Sequence, residues 1–353
     1  MLAVRIFWVA LALLVAGCAT GPSRAPEAFG ERPTAGSVLG SLKLDAALED
    51  RILALDPGHI TAAEVRDTLA KASAPRMVLI HGGIYPVYLA MSSFAEFLVE
   101  MGYPQAAIRR PDNVLDSIYS YSPYQDSREL AGMIAWYYER DGMRPMIVGH
   151  SQGGVQAVKV LDELAGTFGD ELTVWNPVTD TAESRTTIVD PLTGMQRSVV
   201  GLSVSYASAV GAGGAALLLP NQWSMMHRLH TIPDSVDEFT GFSISVDFVA
   251  LTFPGARGAA DYRPNGKAKV RNVFLPAIYN HVVLPATRHL AQSGAMRDWI
   301  DAYVPGRPGQ AETMPDGDSG GALWAADVWY SIKRHWCLEL QRLIRAQRAM
   351  PAH

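Results

Sequence analysis

The chain has 353 residues, of which 48% are hydrophobic, and its formal net charge is −5 with an isoelectric point near 6.0. This size and apolar content can bury the core of one large domain or two small ones. The acidic balance excludes the strongly basic surface typical of nucleic-acid-binding proteins, so no nucleic-acid partner is predicted.

The first 17 residues have the pattern of a targeting signal. Arg5 supplies a positive start, and the apolar run 6–15 is too short to span a bilayer. The run leads into Val15-Ala16-Gly17-Cys18, which resembles the lipobox of bacterial lipoproteins. The resemblance implies cleavage before Cys18 and lipidation of that cysteine. It also implies a cell-envelope lipoprotein that faces the periplasm or the surface. Because Ala19, and not an aspartate, follows the cysteine, the resemblance implies the outer membrane.

Lipidation of Cys18 would leave Cys337 as the remaining cysteine, so no intrachain disulfide is predicted. Residues 18–37 are rich in Pro, Gly, Ala and Ser without periodicity, which predicts a flexible tether with a reach of about 20 Å. A domain over 38–305 is expected to begin with two helices, at 42–55 and 61–72. Thr61 and Glu64 form a capping box for the second helix.

Strand-like and helix-like patterns then alternate, which favours an α/β fold over a β-sandwich. The first strand ends in His81-Gly82-Gly83. The predicted elements of this part are a strand at 76–80, a helix through 94–101, a strand at 105–109, a helix at 127–139 and a strand that begins at Met146. This βαβαβ order predicts parallel strands joined by right-handed crossovers.

The last of these strands runs directly into Gly149-His150-Ser151-Gln152-Gly153, and a helical pattern follows at once. Strand, tight turn and helix together predict a nucleophile elbow, in which a sharp turn exposes the serine hydroxyl. Glycines on either side let the backbone pass where a side chain would clash. Because Ser151 precedes a helix N-terminus, free N–H groups there can stabilise developing negative charge.

The two motifs together resemble α/β-hydrolases of the lipase and esterase kind, over about residues 75–305. The resemblance implies a mostly parallel sheet with helices on both faces and identifies Ser151 as the nucleophile. It also implies that the backbone N–H groups of Gly83 and Gln152 form the oxyanion hole. His81 is expected to hold the loop and not to react.

A hairpin is expected after the elbow helix, with strands at 186–189 and 197–200, and a core strand at 202–206 follows it. Residues 207–235 then form an apolar insertion that carries Met and Trp, at the place where the family has its cap. A cap would cover the serine and form an acyl pocket. The alternative, that these side chains simply pack on the core, stays open.

His281 follows the last predicted core strand and precedes a helix expected at 286–303, which is the position of the family's general base. The triad acid should follow the strand before, and two aspartates qualify. To return from the end of one parallel strand to the start of the next, a chain usually needs a dozen or more residues. The last strand starts near Lys269, so Asp247 leaves about twenty residues for this return and Asp261 leaves about eight. Asp247 is therefore favoured, with Asp261 as the alternative acid.

A competing motif, Gly317-Asp318-Ser319-Gly320-Gly321, matches the nucleophile motif of chymotrypsin-like proteases. That family needs a two-barrel β fold and an upstream histidine segment, and the strand–helix alternation here supplies neither. Ser319 is therefore not expected to be the nucleophile. Asp316 with Asp318, and His227 with His230, lack the partners of a metal site, so no metal and no cofactor is predicted.

The chain is expected to close with a polar loop from residue 306 and a helix at 322–348. Apolar residues on one side of this helix predict packing on the core, and its basic end leaves contact with anionic lipid as the alternative.

Taken together, the motifs predict a serine hydrolase that cleaves carboxylic esters, lipid esters included, through an acyl-enzyme. Acyl transfer on the same triad is an alternative, and so is a non-catalytic envelope lipoprotein that uses the fold as a binding module. The predicted partners are a small-molecule or lipid ester and, through Cys18, a membrane.

Overall fold

A computed structural model describes residues 44–111, 118–252, 261–317 and 320–349. The predicted signal at 1–17, the tether at 18–37 with Cys18, and Ser319 lie outside these described residues.

The described chain alternates between helices and strands. The helices are α1 (Ala46–Ala54), α2 (Ala62–Asp67), α3 (Tyr85–Glu100), α4 (Gln105–Ile108), α5 (Ser127–Asp141), α6 (Gln152–Leu164), α7 (Arg288–Gln292), α8 (Gly294–Ala302) and α9 (Ala322–Arg348). The strands are β1 (Met77–Ile80), β2 (Ser120–Tyr121), β3 (Met146–His150), β4 (Trp175–Asn176), β5 (Thr181–Ala182), β6 (Thr187–Val189), β7 (Gln196–Ser198), β8 (Val204–Val210), β9 (Thr231–Ile232), β10 (Val236–Ile244), β11 (Arg263–Pro264) and β12 (Lys269–Leu275).

The central sheet has six strands in the order β12-β10-β8-β3-β1-β2, and all five neighbouring pairs are parallel. The prediction of an α/β fold with a mostly parallel sheet is therefore confirmed. Because parallel strands end at the same edge, the loops after β1, β3, β8, β10 and β12 meet along one side of the sheet. We call this side the carboxyl edge.

Alternate residues of each strand enter two different cores. Met77 and Leu79 of β1 pack in a cluster with α3 and α9, whereas Val78 and Ile80 pack in a second cluster with α5 and α6. Since successive strand residues point to opposite faces, both faces of the sheet are covered by helices. This burial on both sides explains why the strands are continuous apolar runs in the sequence.

The long helix α9 belongs to the first of these cores. Its apolar side is buried, as the sequence predicts, through Val328, Ile332, Trp336 and Leu340. A charged residue of the helix, Asp327, pairs with the sheet. Its carboxylate accepts from Nη1–H and Nη2–H of Arg271 on β12, at 2.6 and 2.7 Å.

The basic end of α9 is paired within the chain. Arg342 donates to Glu339, and Arg348 donates to Glu49 and Asp50 at 2.9 and 2.8 Å. These guanidinium groups therefore have carboxylate partners within the chain.

The strand predicted at 105–109 is wrong. A short helix, α4, forms there instead, with Pro104 as its N-cap and two helix-forming alanines inside it. The strand that pairs with β1 is instead the two-residue β2, at Ser120–Tyr121.

Three further boundaries need correction. The strand predicted at 202–206 is β8, which continues in buried residues to Val210, so the insertion begins at Gly211 and not at 207. The helix predicted at 286–303 is two helices, because Ser293 takes an extended conformation between α7 and α8. The helix at 61–72 ends at Asp67 and continues as a 3-10 turn, although its capping box is present.

Glu238 on β10 gives a test of how α9 is held. Its carboxylate accepts from Arg334 and His335. Burial alone would raise the pKa of Glu238, but the hydrogen bond and charge of His335, with Arg334 and Arg271, lower that pKa from 4.5 to about 2.

A carboxyl whose folded pKa is depressed stabilises the fold above its unfolded pKa, and this contribution disappears as the pH falls through the folded value. We therefore expect Glu238→Gln to be less stable than wild type at neutral pH by up to about 3 kcal/mol, with the difference fading between roughly pH 4.5 and 2. Urea unfolding across this range measures it, and the exposed Glu312→Gln is the matched control. A difference between Glu238→Gln and wild type that does not change with pH would contradict the assignment.

Candidate active site

The turn between β3 and α6 at the carboxyl edge is tightly constrained. Ser151 connects His150, the last residue of β3, to Gln152, the first of α6, with φ 57° and ψ −124°. A positive φ in a residue other than glycine costs about 1–3 kcal/mol and persists only where the surroundings enforce it. Here the Ser151 N–H donates to the Val210 carbonyl of β8 at 2.8 Å.

Two glycines make this turn sterically possible. A Cβ on Gly149 would lie 2.3 Å from the Gly153 carbonyl oxygen, and a Cβ on Gly153 would lie 2.2 Å from that of Ile80 at the end of β1. Both distances are shorter than any real Cβ contact, so backbone passes backbone where no side chain fits.

Three residues that the sequence singles out meet at this turn. His281 Nε2 lies 2.9 Å from Ser151 Oγ, and His281 Nδ1 lies 2.6 Å from Asp247 Oδ2. The side chains are shielded from water, with relative exposures of 9% for Ser151, 8% for His281 and 2% for Asp247. Both distances fall within the range in which a base can take a proton and a second group can orient that base.

The alternative acid, Asp261, is placed elsewhere. It lies beside His230, where its charge raises the pKa of that histidine against the larger lowering effect of burial. His230 and His227 both lie in turns.

Asp247 stays ionised although it is buried. Burial by itself would raise the pKa of Asp247, but the hydrogen bond with His281 and the backbone N–H groups of Ala250 and Val249 hold it below its ordinary value. Those N–H groups donate to Oδ1 at 2.9 Å each, which leaves Oδ2 for the histidine. Reciprocal backbone hydrogen bonds between Asp247 and Thr252 close the loop that carries the carboxylate.

The imidazole of His281 is also confined from one side. Gly211, directly after β8, has φ +60°, and a Cβ there would lie 2.8 Å from His281 Cε1. Only glycine suits both this backbone conformation and this contact.

The predicted oxyanion residues lie on either side of the serine. A Cβ on Gly82 would lie 3.0 Å from Ser151 Cβ, so the loop after β1 runs against Ser151. The next residue, Gly83, packs against the carboxamide of Gln152, and its carbonyl accepts from the Tyr124 hydroxyl at 3.1 Å. As the first residue of α6, Gln152 has a backbone N–H that no helical carbonyl can accept.

His81 lies where it can stabilise this loop. Its Nδ1–H donates to the Gly82 carbonyl at 2.6 Å, and its ring meets Tyr88 edge to face. Burial lowers the pKa of His81 to about 4, so the ring is neutral at pH 7. The geometry fits the loop-holding role that the sequence suggests.

The described loops of the carboxyl edge are almost free of charge. In its segments 81–92, 122–125, 211–226, 245–252 and 276–284, Asp247 is the one Lys, Arg, Asp or Glu, although the chain has 65 such residues. Large apolar side chains point outwards from the same segments, among them Ile278 at 87% and Phe248 at 76% exposure. The others are Tyr85, Leu89, Tyr124, Leu218, Trp223, Met226, Val249, Leu251 and Val283.

The insertion after β8 contributes to both core and surface. Its 3-10 turns (Gly214–Leu218 and Pro220–Met225) bury Met225, while Leu218 and Trp223 stay exposed. Ala215 N–H donates to the Val249 carbonyl at 3.1 Å, which joins the insertion to the loop of Asp247. Between these two segments lies a cavity of about 160 Å³, lined in part by Ala212, Leu217, Phe242, Ala250, Leu251 and Tyr262.

Two residues of this site were not foreseen from the sequence. His150 occupies a variable position of the elbow motif, and Gly211 was assigned to the insertion. Only the spatial neighbours reveal them: His150 Nε2 lies 2.8 Å from the His281 carbonyl, and Gly211 lies against the His281 ring.

Comparison with protein-family models and with curated protein sequences gives no match. One solved structure, of RedJ with a PEG molecule bound in the active site, is 14% identical and covers 65% of this chain and 91% of its own, with a TM-score of 0.29. A likeness this weak carries no argument about function. Over the described ranges, no group of three or more His, Cys, Asp or Glu could hold a metal ion, and no helix is long and apolar enough to cross a membrane.

The arrangement can therefore supply a serine with a base at its hydroxyl and a carboxylate behind that base.

The choice of acid is testable with a fluorophosphonate, which reacts with activated serines. We expect Asp247→Asn to slow labelling of Ser151 by roughly 10³- to 10⁴-fold, because an amide favours the wrong imidazole tautomer. Asp261→Asn, the matched control, should label at the wild-type rate, and the reverse ranking of the two variants would refute the assignment.

Proposed function

We propose that this protein is a serine hydrolase of the α/β-hydrolase type, which cleaves carboxylic esters through an acyl-enzyme on Ser151. The observation that carries the proposal is the continuous hydrogen-bonded series Ser151–His281–Asp247 at the carboxyl edge of a parallel sheet. The strained turn at Ser151 supports it, because such strain is typical of functional sites.

The proposed reaction has two halves. His281 Nε2 takes the hydroxyl proton as Ser151 Oγ attacks the ester carbonyl, and a tetrahedral oxyanion forms. Collapse breaks the bond to the alcohol, which leaves with the proton from His281. Water then attacks the acyl-enzyme while His281 takes its proton. Collapse of the second intermediate breaks the bond from the acyl carbon to Ser151 Oγ, which receives that proton from His281 as the carboxylic acid leaves.

Two groups stabilise charge in this scheme. The carboxylate of Asp247 offsets the positive charge on His281 after proton transfer and fixes its tautomer. The backbone N–H groups of Gln152 and Gly83 would receive the oxyanion, each for about 3–4 kcal/mol of transition-state stabilisation.

The substrate class follows from the carboxyl edge. An uncharged rim with outward-facing aromatic and aliphatic side chains suits an ester with an apolar acyl group, because contact with such a group removes apolar surface from water. The cavity of about 160 Å³ beside Gly211 could take part of such a chain.

Location and alternatives belong to the same proposal. The lipobox resemblance at Cys18 favours a lipid anchor in the cell envelope, which would bring the edge near lipid esters. Acyl transfer would need the same triad with an alcohol in place of water. A purely binding role would give no reason for a base at the serine hydroxyl.

The first test is fluorophosphonate labelling of wild type, Ser151→Ala and Ser319→Ala side by side, as full chains in detergent. Label should be lost only in Ser151→Ala, since that change removes the attacking oxygen. Loss of label only in Ser319→Ala would overturn the nucleophile assignment. A folded wild type that does not react would favour the binding module.

A second test addresses the acyl group. We expect Phe248→Ser and Ile278→Ser each to lower kcat/KM for long-chain p-nitrophenyl esters by about tenfold, with much less effect on the acetate. Met195→Ser is the matched control, because Met195 is 67% exposed on the β6–β7 hairpin, outside the carboxyl edge. Equal losses on short and long esters would contradict the apolar substrate.

A further inference from the structure

His150 makes a contact that the proposed reaction does not yet use. It is the last residue of β3, fully buried, and its side chain reaches across to the loop of the base. Its Nε2–H donates to the backbone carbonyl of His281 at 2.8 Å. A carbonyl can only accept, so this bond fixes the proton of His150 on Nε2.

Tyr279 and Leu284 of the base loop pack in the first core, and several backbone N–H groups of the loop have local acceptors. Between β12 and α7, Tyr279 N–H donates to Pro276, Ala286 N–H donates to Val283, and Val282 N–H donates to the Asn280 side chain. A hydrogen bond also joins the loop to the start of α9, where the Tyr279 hydroxyl accepts from the Leu323 N–H at 3.1 Å. The bond from His150 therefore ties the base residue itself to the strand that carries the nucleophile.

The imidazole of His150 is also kept uncharged. Burial, with the charge of His281, lowers the pKa of His150 well below its ordinary value. The two ring centroids are 5.1 Å apart, so a positive His150 would oppose formation of the His281 imidazolium. A neutral donor fixes the loop without this repulsion.

A purely structural role explains this residue less well. Nδ1 of His150 is buried and has no hydrogen-bond partner among the described residues. An unpaired buried acceptor costs stability, and an apolar side chain of similar size would avoid that cost.

We propose that His150 is a positioning residue, which holds the backbone of His281 so that its imidazole stays aligned between Ser151 and Asp247. This inference rests on the proposed function, because the alignment matters only if His281 takes a proton from Ser151. The side chain of His150, the residue directly before Ser151, thereby has a role in the proposed reaction.

The test compares His150→Leu, which removes the donor, with His150→Gln, whose carboxamide can present an N–H near the former Nε2. We expect His150→Leu to lower kcat and the fluorophosphonate labelling rate by roughly 10- to 100-fold, because small misplacements of a base have effects of this size. KM should stay within about twofold, because the bond contributes to positioning and not to substrate binding. His150→Gln should recover most of the loss.

His335→Leu is the matched control. His335 is also buried, contacts Glu238 and stacks on Tyr206, away from the carboxyl edge, so its loss should lower stability without changing kcat. If folded His150→Leu labels at the wild-type rate, or if the Gln and Leu variants are equally impaired, the proposal is overturned.

A second readout separates this proposal from the hydrolase assignment. The proton shared by His281 and Asp247 should give a far-downfield proton NMR resonance, which does not depend on any substrate. His150→Leu should shift or broaden this resonance, and His150→Gln should restore it. An unchanged resonance in His150→Leu would refute positioning, whereas absent labelling of wild type would refute the hydrolase.

Discussion

The geometry of the carboxyl edge depends on how closely β3 packs between β1 and β8. The backbone at Ser151 is strained, and three contacts hold it there: its N–H bond to Val210, and the close backbone approaches at Gly149 and Gly153. Because β1 and β8 lie on either side of β3 in the sheet, the loops that follow them reach the serine directly. The loop after β1, the glycine beside the histidine and the serine itself are therefore positioned by one set of strand pairings.

Much of this arrangement was predictable from local patterns. The apolar run before Ser151 and the helical spacing after it specify strand, turn and helix, and the structure has β3 and α6 at those places. The choice of Asp247 over Asp261 used only the length of chain that a parallel return requires, and the structure places Asp247 at His281. In both places the deciding physical constraint acts within some twenty residues of the chain.

The failures have a common physical cause, which is that tertiary contacts decide between similar local options. Residues 105–109 could be read as a short strand, but the edge position beside β1 is taken by Ser120 and Tyr121. Val210 and Gly211 are adjacent in sequence. The core strand ends and the insertion begins between them, because the pairing of β8 with β3 extends to Val210. The contact of His150 with the His281 carbonyl joins residues 131 positions apart, and no local pattern reports it.

The long helix α9 has a consequence for the order in which the molecule can be completed. It buries Trp324, Trp329 and Trp336 against the same core as α1 and α3, and its first turn supports Tyr279 in the loop of His281. Ribosomes make this helix after every strand of the sheet has been synthesised. The nascent chain thus holds its serine, histidine and aspartate well before this support of the histidine loop exists.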